Sequence, residues 1–492
     1  MSAIITEKFR QHNATQFFES FSEASKSTYY LFVGKATAYT SGTTGGSDSS
    51  PPTPSDSPTD TEFYAWDSML AAKNVTSSDI TYAIPRRAWA NGTTYDMYDD
   101  NISSSNTTTS GASNLYDSTF YFMTSDYRVY KVLDNNGGTA YSGAEPTSTS
   151  TSPFELGGYV LKYMYQVTTS EAAKYLTSDF IPVSDDSAVS TAAVDGKIES
   201  IKVTAGTGYT NGTYYAAVYG DGTSAGTSSG AIIRITVSDN AIKSFGLTAG
   251  TDTTIHAGGA AYTFGTVNLG SGYTFSDSGL SSASNMGGSG GAIEVVISPK
   301  NGHGNSSIVE LGGHYVMSAT TLTQAENDDI TTSNDFRQVG LVVDPTNYGT
   351  STVATASTRR QTFVVKASSV SGTFEVDEKI TQATTGAVGR VVEWDNTNKI
   401  LYYLQTRFNN NGLDTNGNLT AFSGANTITG ADSGITGTPS TSTSTVDSVS
   451  FTSGYAAAEL DADSGDVVYV ENRAPITRAS DQTENVKLVI EF

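Results

Sequence analysis

The hydrophobic runs along this chain are short, and most alternate with polar residues between clusters of Gly, Ser, Thr, Asn and Asp. A period of two fits a half-buried strand, whose successive side chains leave on opposite faces. Aromatic-rich runs near Tyr116–Met123, Tyr127–Leu133 and Gly157–Val167 predict strands, the second ending in the turn sequence Asp134-Asn135-Asn136-Gly137-Gly138. Phe336–Val343 predicts a strand that stops before Asp344-Pro345. Asp466–Glu471 follows a Ser464-Gly465 turn, and Val486, Leu488, Ile490 and Phe492 share one face of a last strand. Helical signals are few. Asn13 with Gln16 resembles a capping box ahead of Phe17 and Phe21, and Thr59 with Glu62 opens a stretch carrying Phe63, Trp66, Met69 and Leu70 on one stripe. Thr168 with Glu171 leads into Lys174-Tyr175-Leu176, and Ser306–Leu311 reads as a short helix stopped by Gly312. Thr40–Asp60 and Asn101–Asn114 read as exposed polar loops.

Two internal repeats interrupt this pattern. Ile198–Gly206 is echoed by Ile242–Gly250, Gly206–Thr210 by Gly270–Thr274, and Gly230-Ala231-Ile232 by Gly291-Ala292-Ile293. Further on, Phe374-x5-Ile380-Thr381-x-Ala383-x-x-Gly386-x-x-Gly389 matches Phe422-x5-Ile428-Thr429-x-Ala431-x-x-Gly434-x-x-Gly437 position for position. Between these copies a hairpin is expected around Asp395-Asn396-Thr397-Asn398. Two copies are too few for a long solenoid and imply small duplicated β modules. The expected organisation is a core from residues 1–192, an inserted module over 193–299, a return to the core over 300–360, a second module over 361–450 closing on a linker-like Thr438–Thr445, and residues 451–492 completing the core.

Composition agrees with a mainly β fold. Hydrophobic residues make up 37% and charged residues 16%, both below the usual globular shares of about 45–50% and about 25%. Ser, Thr, Asn and 48 glycines fill the difference, as many tight turns require. The 28 tyrosines suit half-buried pleated surfaces with one ring face packed and the hydroxyl in water. Fifty acidic against 27 basic residues leave a net charge of −23, which repels a phosphate backbone, so nucleic acid is not an expected partner. No apolar run approaches the about 20 residues that span a bilayer, and Met1–Arg10 does not read as a signal peptide.

Candidate chemistry is sparse. With no cysteine, disulfides, thiolate metal sites and a cysteine nucleophile are excluded. Gly287-Gly288-Ser289-Gly290-Gly291 satisfies the nucleophile-elbow spacing but lacks the following helix. Asp461–Asp466 and Asp414–Asn418 have a calcium-loop flavour but misplace the glycine and lack the closing glutamate, so β-turns are the better reading. His12, His256, His303 and His314 show no zinc spacing. No catalytic, cofactor or metal residue is expected. Two basic clusters stand out: Arg86 and Arg87 beside Trp89, and Arg473 between Glu471 and the expected turn at Pro475. Arginine suits bidentate carboxylate pairing and aromatic stacking, so Arg473 is expected to pair with a carboxylate across a domain or subunit boundary.

Several islands, in order, resemble one family. They are Thr6–Arg10, Ala83-Ile84-Pro85-Arg86-Arg87-x-Trp89, Val129–Asp134, Gly158-Tyr159-Val160-x-x-Tyr163, Phe336-Arg337-Gln338 with Asp344-Pro345, Ser464–Arg473 with Pro475, and Asp481-Gln482-Thr483-Glu484. The series looks like the baseplate wedge protein eight of T-even-type phages. The resemblance implies a β-sandwich with a few short helices in connecting loops, a homodimer without cofactor or catalytic residue, and a place in the virion's tail baseplate after assembly in the host cytoplasm. The implied partners are other wedge proteins and the fibre-bearing periphery, through candidate contact residues Arg86, Arg87, Trp89, Arg337, Glu471, Arg473, Asp481 and Glu484. The two repeat modules depart from the family pattern and look like β modules of tail proteins from marine phages that infect cyanobacteria. A receptor- or glycan-binding tail protein is the second reading, expected to expose aromatic platforms on the modules. A polysaccharide depolymerase is the third and would need two carboxylates about 5–9.5 Å apart in a groove.

Overall fold

The structure, a computed structural model, describes residues 5–39, 45–57, 61–220, 229–270, 281–323, 335–407, 412–476 and 483–492. Strands take up 42% of it and helices 11%, so the chain is mainly β and its helices are connectors. The chain forms two compact units, residues 1–16, 81–317 and 489–492 in one, and residues 17–80 and 318–488 in the other.

The first unit contains a four-stranded antiparallel sheet in the order Tyr121–Met123, Arg128–Asp134, Tyr159–Gln166, Phe154–Leu156. Its two central strands are buried on both faces, which explains why their sequences run apolar and aromatic instead of alternating. Tyr95, Phe122, Tyr130, Tyr141, Tyr159 and Tyr163 form one cluster, with edge-to-face contacts such as Tyr141–Tyr159 at 5.3 Å. The hydroxyls reach out of this core to the main chain: Tyr130 donates to Ser148 O at 2.8 Å, Tyr141 to Ala144 O at 2.8 Å and Tyr159 to Thr139 O at 2.7 Å. Each ring thereby fills the core and also pins a segment of the 139–148 loop. The helix Thr169–Tyr175 starts as its sequence predicts, Thr168 Oγ1 accepting from Glu171 N–H while Glu171 accepts from Thr168 N–H at 2.8 Å.

Residues 200–296 supply a seven-stranded sheet in the order Ala241–Ile242, Ser229–Ser238, Gly212–Tyr219, Thr266–Val267, Ala292–Val296, Ser200–Thr204, with Thr254–Ala260 also on Ser229–Ser238. Its core is continuous with Leu133 and Val160 of the four-stranded sheet. The sequence echo is only partly a structural one. Ser200–Thr204 is a five-residue strand, whereas in its echo only Ile242 is in a strand. There the Asp252 side chain takes the Thr248 N–H at 3.0 Å, so a local bond replaces the ladder. The echo over 271–274 lies outside the described residues. Gly287–Ser289 is a strand paired with Thr207–Tyr209, and no helix follows, so Ser289 is not on a nucleophile elbow.

The second unit holds a five-stranded sheet in the order Thr358–Arg360, Met69–Val75, Tyr29–Gly34, Phe336–Val343, Asp466–Ile476. Three expectations are corrected here. The first helix spans Glu7–Glu19, with Thr6 Oγ1 accepting from Phe9 N–H at 3.3 Å, so Asn13 is interior to it and not a cap. The next helix, Thr61–Ser68, ends before Met69 and Leu70, which begin a strand against Tyr29–Gly34. Sheet pairing has overridden the helical stripe, and Phe63 stays exposed while Trp66 is buried; Thr59 lies outside the described residues. Finally, Asp466–Ile476 runs on through Pro475 without a turn. The ladder shifts register between Phe336 and Gln338, and a residue without N–H is tolerated at such a bulge.

Residues 363–439 close into a six-stranded antiparallel barrel. Its ring runs Phe363–Val370, Ile400–Leu404, Val388–Asp395, Lys379–Gln382, Ile428–Gly430, Thr436–Pro439 and back to Phe363–Val370. Here the sequence repeat is structural. Ile380 pairs with Gly389 as Ile428 pairs with Gly437, and the two copies join through Ile380↔Gly430, Thr381↔Thr429 and Gln382↔Ile428, a local pseudo-twofold between Thr381 and Thr429. The conserved spacing of Phe and Gly within the repeat has a steric cause. A Cβ on Gly389 would lie 3.3 Å from the Phe422 ring, and one on Gly437 3.3 Å from the Phe374 ring, so each copy's phenylalanine covers the other copy's glycine. Gly386 and Gly434 both take positive φ, 73° and 67°, at the intervening turns. Thr438–Thr445 is not a linker: Thr436–Pro439 belongs to the barrel and Ser444–Val446 to a hairpin with Val449–Phe451. The expected hairpin turn is present, Asp395 Oδ1 accepting from Thr397 and Asn398 N–H.

Because a Cβ at position 389 would also lie 2.9 Å from Tyr403 and 3.0 Å from Leu404 O, Gly389→Ala should destabilise the chain by about 1–3 kcal/mol. Gly437→Ala, whose nearest neighbours are ring edges at 3.3 Å, should cost less. Urea unfolding of the two variants side by side checks that order.

Candidate functional site

In the four-stranded sheet the register sets Lys131 directly opposite Lys162, and both side chains are buried. Like charges facing each other across a ladder repel, and burial raises the cost of each. Two carboxylates from outside the sheet compensate. Lys131 Nζ donates to Glu310 Oε2 at 2.8 Å and to His303 Nδ1 at 2.9 Å, and lies 3.9 Å from the Tyr98 ring centre. Lys162 Nζ donates to Thr151 O at 2.7 Å and lies 3.7 Å from Glu199, which Lys197 also reaches at 2.8 Å. Glu310 is held in turn by the Gly304 N–H at 2.7 Å. Burial pulls both lysines below the ordinary range, opposed for Lys131 chiefly by Glu310 and for Lys162 by Glu199. Burial, followed by Lys131, Lys162 and Lys197, holds His303 well below the usual histidine range; it is neutral and accepts through Nδ1. Of these residues the sequence singles out only His303, as a histidine without zinc spacing, and places none of them together. The available signal was a lysine inside each of two otherwise apolar runs.

Arg337, a sequence candidate, is buried in the second unit. Its Nε and Nη2 donate to the two carboxylate oxygens of Asp48 at 2.9 Å each, and Asp335 lies 3.6 Å away. These hydrogen bonds hold Asp48 below the ordinary carboxylate range. The loop expected to be merely exposed is therefore tied down at Asp48, which also accepts from Tyr39 N–H. Beside it, Lys35 is buried between the Tyr39 and Tyr64 rings. Burial and then Arg337 push its ammonium down to about 8.

Arg407, missed in the sequence, bridges Asp67 and Asp463: Nε donates to Asp67 at 3.0 Å, Nη1 and Nη2 to Asp463 at 2.6 and 2.9 Å. Its guanidinium covers the Phe63 ring at 4.5 Å. Asp463 is thus engaged by an arginine, and Asp414 accepts from Asn416 and Asn418 N–H within its own turn, as the β-turn reading of both loops expects.

The remaining candidates do not converge. Arg86 is exposed and donates to Thr177 O. Arg87 stacks on Tyr121 at 4.5 Å and donates to Tyr116 O, while Trp89 meets Tyr141 edge-on at 5.8 Å, so the two guanidinium groups are not clustered on the indole. Glu484 is buried, Asp481 lies outside the described residues, and Glu471 accepts from the Tyr469 hydroxyl at 3.1 Å. Arg473 is half-buried and forms no ion pair among the described residues.

A cleft of about 400 Å³ in the first unit is lined by Asp99, Asn106, Asp134, Asn136, Lys202 and Phe245, among others. Its polar groups are mostly bound to one another: Asp99 accepts from Lys202, Asn106 and Asn101 N–H, and Asp134 from Asn136 N–H. Burial raises Asp134 to about 6. No group of metal-binding side chains occurs among the described residues, and no described helix is long and apolar enough to cross a membrane.

Residues 3–145 match the family described as Phage-Gp8: Bacteriophage T4, Gp8. The matched segment includes Arg86, Arg87, Trp89 and Lys131, and residues 146–492 lie beyond it. A search among curated proteins finds no relative.

Removing one member of a buried ion pair strands the other, so Lys131→Met should cost about 3–5 kcal/mol, and Lys131→Met with Glu310→Gln should recover most of the loss. Urea unfolding of the single and double variants tests this. Lys35 gives a pH signature. Its folded pKa of about 8 lies below the ordinary lysine value of 10.5 that the unfolded chain keeps, so the unfolded chain binds more protons between them and stability rises with pH across that window. Melting temperatures from pH 7.5 to 10.5 should show this rise in the wild type and a shallower one in Lys35→Met.

Proposed function

We propose that this chain is a structural subunit of a phage tail baseplate wedge, which forms a homodimer and links neighbouring wedge proteins during assembly and contraction. The observation that carries the reading is the family match over residues 3–145 to Gp8, a structural component of the phage baseplate. The ordered islands beyond the match, from Phe336-Arg337-Gln338 to the strand through Arg473, support extending it to the rest of the chain. The physical character of the site agrees. Its ionic groups are locked to one another in buried pairs, an arrangement that fixes segments in place. In the proposed mechanism the dimer acts by geometry: it presents two copies of each surface to its neighbours and transmits their rearrangement when the tail contracts. The modules over 193–299 and 361–450 would be insertions that widen those contacts. A glycan-binding role is less well supported, because among their described residues the modules expose one large aromatic ring, Phe264.

The test is co-expression of the full chain with the other wedge proteins and fibre-bearing baseplate proteins of its own phage, with masses read by light scattering. A stable complex containing two copies of this chain is expected. A chain that stays apart from every baseplate protein, or one that turns over host polysaccharide, would overturn the proposal.

A further inference from the structure

The contact between Lys131 and Glu310 carries more groups than an ion pair needs. The two side chains are 0% and 2% exposed, and Lys131 Nζ lies 2.8 Å from Glu310 Oε2. A neutral imidazole stands on the same nitrogen, His303 Nδ1 accepting from it at 2.9 Å. His303 is itself buried, and its Nε2 has no hydrogen-bond partner among the described residues. No carboxylate is therefore bound there to keep the ring as an imidazolium. The other carboxylate oxygen, Glu310 Oε1, accepts from Gly304 N–H at 2.7 Å and from Ser306 N–H at 3.4 Å. Gly304 has a φ of 90°, a backbone conformation that favours glycine. The Tyr98 ring covers the cluster, 3.9 Å from Lys131 Nζ and edge-on to His303 at 5.0 Å.

These are the parts of an acyl-transfer site: a nucleophile against an electrophile, a base on the nucleophile, and N–H donors where an oxyanion forms. Burial disfavours both charges, and a proton passing from Nζ to Oε2 turns the pair into a free amine and a carboxylic acid. The amine lone pair then attacks Glu310 Cδ, leaving the negative charge on Oε1 under the Gly304 and Ser306 N–H groups. A second proton leaves the nitrogen for His303 Nδ1 and is handed to the Oε2 hydroxyl, which departs as water. Oε1 returns to a carbonyl, the third proton stays on nitrogen, and the imidazole is neutral again. One ammonium and one carboxylate give one amide and one water, with no co-reactant. The held contact supplies the encounter that such a condensation lacks in solution, and the water formed leaves a site that excludes it.

We propose that Lys131 and Glu310 condense within the folded chain to a side-chain amide, with His303 relaying the proton and the Gly304 N–H holding the oxyanion. The ion pair is the reactant, present in the freshly folded chain, and the amide accumulates from it. The second buried lysine lacks these parts. Lys162 Nζ lies 3.7 Å from Glu199, donates to Thr151 O and meets no imidazole among the described residues, while Lys197 occupies Glu199 at 2.8 Å. Lys131 and Glu310 are 179 residues apart, and the segment between them holds the seven-stranded sheet. The amide closes that segment into a covalent loop, so tension on the chain cannot strip the module from the four-stranded sheet.

The intact mass of the denatured full chain tests this. Freshly synthesised protein should start at its sequence mass, and a species lighter by one water should accumulate while the chain is kept folded. A protease digest of that species should yield a branched peptide joining Lys131 to Glu310. Lys131→Met should keep its full mass whether or not it folds. His303→Gln should slow formation of the lighter species by roughly 100-fold or more at an unchanged circular dichroism spectrum; a ring that only packs would leave that rate untouched. A wild-type chain that keeps its full mass through prolonged incubation overturns the proposal. So does a water-lighter mass in Lys131→Met, which locates the loss elsewhere, and so does a His303→Gln chain that reacts as fast as the wild type. None of these outcomes touches the baseplate reading, which the co-expression masses decide.

Discussion

Two lysines face each other in the middle of the first unit's sheet, out of contact with water, and the arrangement of everything around them follows from that. An ammonium group cannot be left unpaired in such a place without a cost of several kcal/mol. Glu199 and Glu310 meet the requirement, and they lie at the two ends of the segment that builds the seven-stranded sheet. The segment must therefore leave and return at fixed points. Apolar side chains of equal volume would hold the sheet as firmly or more so. What the ionic set adds is discrimination, because a carboxylate seated elsewhere leaves a buried cation behind.

The same economy of cations recurs in the second unit. With 27 basic residues against 50 acidic ones, Arg337 and Arg407 are each engaged by two carboxylates. Pairing of this kind fixes those two cations inside the unit, and the excess of carboxylates over cations leaves an acidic exterior. Such an exterior keeps a protein soluble and discourages phosphate-bearing ligands. Specific association must then come from shape and from the few charges left unengaged.

The β architecture treats its edges in two ways. Residues 363–439 abolish them by closing a barrel, with the two repeat copies exchanging their phenylalanines across a pseudo-twofold. The five-stranded sheet instead leaves Asp466–Ile476 open and guards it with Glu471, Arg473, Pro475 and a bulge. A closed module has its hydrogen-bonding capacity satisfied within itself, whereas an open edge retains capacity for a partner.

What the sequence determined by itself is what short-range chemistry decides. The Thr168–Glu171 box, the Asp395 turn, the helix at Ser307–Glu310 and the strand Phe336–Val343 depend on hydrogen bonds or periodicity within a few residues. The repeat of Phe, Ile and Gly announced a duplicated module because identical local geometry demands identical spacing. Tertiary structure decided the rest. Met69 and Leu70 became a strand because Tyr29–Gly34 lay ready to pair with them. Pro475 stayed in a strand because a bulge excused its missing N–H. Above all, Lys131 met Lys162, Glu310 and His303 across separations of tens to hundreds of residues. A register between distant strands fixes such contacts, and no local pattern in the chain encodes that register.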